Sequence, residues 1–188
     1  MGRRIALLIG NTEYEDPYFR NLNTPGQNVR DFEAVLKDIN RCGFEVNTLM
    51  NTTKSEAEKE ILNMFKNKTQ DDIILFYFAG HGVKDEEGAL IYAMKETEME
   101  TVEATATAAS FLRKSINKSF SERIVVILDC CFSGAFGETM SGLHEAIDFK
   151  REFEGHGYGR VILTATDTMQ YAWEKLAFDT SGEAQYSV

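Results

Sequence analysis

IVVILDCCFSG, the stretch from Ile124 to Gly134, falls into two parts. Five uninterrupted apolar residues, Ile124–Leu128, come first; Asp129, Cys130 and Cys131 follow, and the stretch closes on Phe132, Ser133 and Gly134. A short continuous run rich in Val and Ile reads as a buried strand of a parallel sheet. The acid and the thiols then stand at its carboxyl end, the edge at which open α/β sheets bind ligands. A thiol there is a candidate nucleophile, provided a neighbour can take its proton. A second continuous run, Ile73–Ala79 (IILFYFA), ends at Gly80-His81-Gly82 and supplies that neighbour.

Around these two strands the pattern alternates. Arg4–Ile9 reads as a first strand. Thr24-Pro25-Gly26-Gln27 reads as a helix start, with Thr24 as N-cap, Pro25 first in the helix and Gln27 closing a capping box. Val29, Phe32, Leu36 and Ile39 share the apolar face of that helix, which should stop before Gly43. Phe44–Met50 is a second strand. Ser55 and Glu58 form a second capping box, and Ala57, Ile61, Met64 and Phe65 an apolar stripe. Val83–Gly88 is a charged loop, Ala89–Met94 a short strand, residues 95–107 a surface loop, and Ala108–Asn117 a helix with Phe111, Leu112 and Ile116 inward. Residues 133–159, rich in glycine and charge, read as a long loop, and Arg160–Ala165 as the last strand. Strands alternating with helices predict an α/β domain: a mostly parallel central sheet with helices on both faces, in three layers. No internal boundary suggests a second domain within residues 1–188.

Composition removes several function classes. The 188 residues are 43% hydrophobic and 27% charged, as in ordinary globular domains. No apolar run approaches the ~20 residues of a membrane span. Residues 3–9 lead into Gly10-Asn11-Thr12 without a cleavage site, so they read as a strand of a cytoplasmic protein rather than a signal peptide. A net charge of −10 without a Lys/Arg cluster argues against nucleic-acid binding. Three cysteines, two of them adjacent, argue against a disulfide framework, and with three histidines they lack zinc-site spacing.

Because the two apolar strands run parallel, His81 and one of the adjacent cysteines can meet at one sheet edge. A free thiol, with a pKa of about 8.5, is mostly protonated at neutral pH. An imidazole within hydrogen-bond reach can take that proton and later give it to a leaving amine. The main-chain N–H groups of Gly82 and of the cysteine are candidates for an oxyanion hole, typically worth about 3 kcal/mol per donor. Cys42, between a helix end and Gly43, is read as structural.

Tyr77-Phe78-Ala79-Gly80-His81-Gly82 followed by Asp129-Cys130-Cys131-Phe132-Ser133-Gly134 resembles the caspase-like cysteine peptidases, and most closely the bacterial metacaspases, or orthocaspases. The likeness extends over nearly the whole chain, from RIALLIGN to Val161–Asp167, VILTATD. It implies the caspase-like three-layer sandwich, with His81 as general base and Cys131, at the Cys of the family pattern Asp-x-Cys-x-Ser-Gly, as nucleophile. It also implies that Asp129 lines the pocket for the side chain before the scissile bond, which in metacaspases is Arg or Lys. A carboxylate suits those cations. The family's second pocket acid falls at Asn28 here, so the pocket loses a charge unless Asp31 substitutes. Ala79 stands where the family often has Ser.

The resemblance further implies a regulated protease of bacterial stress, cell death or phage defence, acting on protein or peptide substrates. It implies the large-subunit portion of a caspase-like domain over residues 1–188, with a small-subunit segment or a sensor or effector domain expected in addition. The region around Lys150, Arg151 and Arg160, read as part of the long loop, is a natural site for self-cleavage by an enzyme that cuts after basic residues; the alternative is a plain surface loop with incidental basic residues. No cofactor is implied, although several metacaspases respond to calcium; Asp71-Asp72 and Asp85-Glu86-Glu87 are the acidic runs here, without the spacing of a calcium loop. Two rival readings remain at this stage. One is a caspase-like interaction module without activity; the other is a Cys hydrolase or transferase acting on small molecules.

Overall fold

The computed structural model describes residues 2–85, 89–132 and 159–164, with positions 131 and 132 described by their backbone. The chain runs β1 (Arg4–Gly10), α1 (Pro25–Lys37), β2 (Glu45–Met50), α2 (Lys54–Phe65), β3 (Ile73–Lys84) and β4 (Leu90–Tyr92). A 3-10 turn at Met99–Thr101, α3 (Val102–Thr105), β5 (Thr107–Ala108), α4 (Ala109–Asn117), β6 (Arg123–Phe132) and β7 (Arg160–Thr164) follow. The strands form one sheet. Its parallel part is ordered β2-β1-β3-β6-β7, and β4 and β5 join antiparallel beyond the end of β1.

Strand alternation divides the core in two. On one face Leu7, Ile9, Ile74, Phe76, Phe78, Val126 and Leu128 pack with Ala57, Ile61 and Phe65 of α2 and with Leu112 and Ile116 of α4. On the other, Ala6, Leu8, Leu75, Tyr77 and Ala79 receive Val29, Phe32 and Leu36 of α1. The expected helices on both faces of a mostly parallel sheet are therefore present. Phe76 and Phe78 are fully buried, and truncating either to Ala should cost about 3–5 kcal/mol.

Several local expectations are corrected. Pro25 does open α1, but Thr24 sits in the helical region and makes no side-chain cap, because an N-cap needs an extended backbone to swing its hydroxyl inward. The α1 helix stops at Lys37, so Ile39 falls in the following turn and is 82% exposed. The capping box of α2 is Thr53 with Glu56 rather than Ser55 with Glu58. Both pairs have the same spacing; Thr53 wins because its extended backbone lets its hydroxyl accept from Glu56 N–H while the Glu56 carboxylate returns to Thr53 N–H. Residues 95–107 are not merely a surface loop: Thr97, Ala106 and Thr107 are buried, with Thr97 Oγ1 accepting from Met94 N–H. Both central strands run longer than their apolar stretches. β3 continues through His81 to Lys84 and β6 through Cys130 to Phe132, because each still has a paired neighbour there.

Candidate functional site

The C-terminal ends of β3 and β6 bring the motif residues together. The pair is parallel and in register, with Ala79 opposite Asp129, Gly80 opposite Cys130, His81 opposite Cys131 and Gly82 opposite Phe132. Neighbouring strands lie about 4.8 Å apart, so paired positions on one face are close enough for direct contact. Positions 77, 79 and 81 of β3 and 127, 129 and 131 of β6 share the face covered by α1. Cys130 falls on the other face, 2% exposed, within the cluster of Val126 and Leu128. Of the adjacent cysteines, position 131 is thus the one on the face of His81.

His81 is 8% exposed and is gripped from the loop after β1. β1 stops at Gly10, opposite Ala79, and the loop then takes over the flank of β3: Asn11 N–H donates to the Ala79 carbonyl at 2.9 Å. The Tyr14 hydroxyl accepts from His81 N–H at 3.0 Å and donates to the Asn11 carbonyl at 3.2 Å. Burial raises the Tyr14 pKa well above its ordinary value, so the phenol stays protonated. The rings of Tyr14 and Phe19 lie 4.9 and 5.8 Å from the imidazole centroid. Gly80 leaves room for this contact, since a Cβ on it would come to 2.9 Å from the Tyr14 hydroxyl and displace it.

His81 Nε2 lies 2.7 Å from the Arg20 carbonyl. A carbonyl only accepts, so Nε2 carries a proton, and in the neutral imidazole the buried Nδ1 carries the lone pair. That tautomer leaves Nδ1 as the basic nitrogen, as a proton acceptor for a thiol requires. Because His81 N–H faces Tyr14, alternation along β3 turns Gly82 N–H to the opposite flank, toward β6.

Asp129 is half-buried beside this pair. Its Oδ2 accepts from the Tyr77 hydroxyl at 2.8 Å and from Asn28 Nδ2 at 3.1 Å. Asn28 comes from the first turns of α1, whose N-terminal dipole favours a nearby carboxylate. Asp31 is not brought to Asp129; it is exposed and accepts from Gln27 Nε2 at 2.7 Å. None of the ion pairs among the described residues includes Asp129.

The remaining expected positions fall elsewhere. Asp72 accepts from Thr69 N–H and from the backbone and guanidinium of Arg3, and Asp71 pairs with Arg123, so both carboxylates of that run face cations or N–H donors. Among the described residues no group of three His, Cys, Asp or Glu could hold a metal. Arg160 lies in β7, not in a loop, and donates to Asn117 Oδ1; Glu86, Glu87, Lys150 and Arg151 lie outside the described residues. No helix among the described residues is long and apolar enough to cross a membrane.

Three contributors escape the sequence reading. Tyr77 was legible in principle, since it shares a strand face with His81 two alternations on. Tyr14 and the Arg20 carbonyl lie in a loop whose path no local pattern encodes.

A sequence model of the caspase domain matches residues 3–188. Nothing among curated proteins matches. The structure is similar to the crystal structure of protein GSU0716 from Geobacter sulfurreducens, with a TM-score of 0.57 and 23% sequence identity, covering 71% of this chain and 52% of that one. The chain thus spans about half the length of that structure, and at this identity the likeness concerns the fold.

Proposed function

The chain belongs to the caspase domain family, and from that premise we propose that it is a cysteine endopeptidase with a His81–Cys131 dyad that cleaves after Arg or Lys. His81 Nδ1 takes the Cys131 proton, and the thiolate attacks the scissile carbonyl. The N–H groups of Gly82 and Cys131 hold the oxyanion. The imidazolium then protonates the leaving amine, and water, deprotonated by His81, releases the acyl group and restores the thiol. Asp129, beside Asn28, receives the basic side chain. The regulated cytoplasmic role that the sequence resemblance implies, in bacterial stress, cell death or phage defence, belongs to the same reading.

The observation that carries the reading is the register of β3 and β6, with His81 opposite Cys131 and its neighbour Cys130 packed on the far face. The test is incubation with fluorogenic peptides ending in Arg, Lys or Asp. Cleavage after Arg and Lys is expected, lost by about a thousandfold or more in Cys131→Ala and retained in Cys130→Ala. Silence toward all three peptides, cleavage after Asp alone, or loss confined to Cys130→Ala would refute it.

A further inference from the structure

Among the described residues, the carboxylate of Asp129 is held by uncharged groups alone. Both of its donors, the Tyr77 hydroxyl and Asn28 Nδ2, converge on Oδ2 of Asp129, and among the described residues no hydrogen bond reaches Oδ1. Tyr77 is 6% exposed and fixed by Phe32 of α1, which packs edge-on with ring centroids 5.2 Å apart. Burial, and then Asp129 itself, push the phenol far above its ordinary pKa, so it remains a donor at every working pH. Ala79, the residue between Tyr77 and His81 on the same face, offers no polar group. The only side-chain hydroxyl on this face of β3 is therefore that of Tyr77.

We propose that Tyr77 is the positioning residue of this pocket: with Asn28 it occupies one oxygen of Asp129 and leaves a single carboxylate oxygen for the side chain that enters. This rests on the reading of Asp129 as the basic-side-chain pocket. The paired hydrogen bonds that favour Arg over Lys need both oxygens of a carboxylate. One oxygen serves an ammonium as well as a guanidinium. The pocket thus accepts Lys and Arg side chains alike, and Tyr77 and Asn28, not Asp129, set the choice between them.

Calorimetric binding to the Cys131→Ala protein tests this without turnover. The probes are acetylated tripeptide amides ending in Arg, Lys or Gln. The Arg and Lys peptides should bind within about threefold of each other and at least about tenfold tighter than the Gln peptide. Tyr77→Phe keeps the ring but frees a lone pair on Oδ2, and Arg should then gain about tenfold over Lys. Asn28→Asp removes the second donor to Oδ2 and adds a charge at the rim, so both basic peptides should tighten by about tenfold or more, Arg more than Lys.

Equal weakening of all three peptides in Tyr77→Phe would mean a structural role only and would overturn the proposal. So would a tenfold preference for Arg without the substitution, no gain in Asn28→Asp, or no binding of either basic peptide. Turnover is read separately. The expected binding ratios without cleavage of any peptide sink the endopeptidase reading and keep the pocket; cleavage after Arg and Lys with a ratio indifferent to Tyr77→Phe sinks the pocket alone.

Discussion

At the scale of residues, the site depends on which face each side chain occupies. The two adjacent cysteines look alike in sequence, yet period-2 alternation puts 131 on the face of His81 and leaves Cys130 in the core. That much was legible, since parity along two parallel strands needs only their register. The grip on His81 was not, because Tyr14 and Arg20 reach it through a loop. Tyr14→Phe tests that grip. It removes both the acceptor for His81 N–H and the donor to the Asn11 carbonyl while keeping the ring. Turnover of an Arg peptide should fall several-fold, with the stability loss held to about 1–3 kcal/mol. An unchanged kcat would show that the hydroxyl does not position the imidazole.

At the scale of elements, the apolar runs located the central strands but not their ends. Ile73–Ala79 and Ile124–Leu128 are the continuous apolar portions; burial runs on past them, to Val83 in β3 and to Cys130 in β6, and the strands persist because pairing with β4 and with each other continues there. An apolar run marks a strand in a sequence, whereas hydrogen-bond pairing does not. Helix starts carried the opposite ambiguity. Two Ser/Thr-x-x-Glu pairs lay two residues apart, and backbone conformation chose Thr53. Thr53→Ala should therefore cost about 1 kcal/mol in denaturant unfolding, and Ser55→Ala only a few tenths. The reverse order would return the cap to Ser55. Gly80→Ala is the element-level probe of the site, since its Cβ would press on Tyr14 at 2.9 Å. Activity should drop together with stability.

At the scale of the whole molecule, one end of the sheet carries the proposed dyad and the other an anchor. Asp72, 2% exposed just before β3, ties the Thr69 N–H, the Arg3 guanidinium and the Arg3 N–H together at the edge opposite His81. These donors, Thr69 N–H foremost, hold its carboxyl well below the usual range. A carboxylate shifted down contributes its full stability above its unfolded pKa and loses it as pH falls through the folded value. The melting temperature should thus decline from about pH 4 downward, more steeply in the wild type than in Asp72→Asn. Parallel limbs in the two proteins would assign acid unfolding to other groups.

The α/β architecture was readable because strand, helix and turn signals agree along most of the chain. The proposed chemistry rests on the one place where two such strands end in reactive side chains. The central claim, that His81 activates Cys131 and that Cys130 is a bystander, is open to direct measurement on the intact protein. Iodoacetamide labelling, followed cysteine by cysteine by mass spectrometry, needs no substrate. Cys131 should react first, roughly tenfold or more faster than in His81→Ala, while Cys130 stays protected until the protein unfolds. Labelling of Cys130 ahead of Cys131, or a Cys131 rate unchanged by His81→Ala, would contradict it.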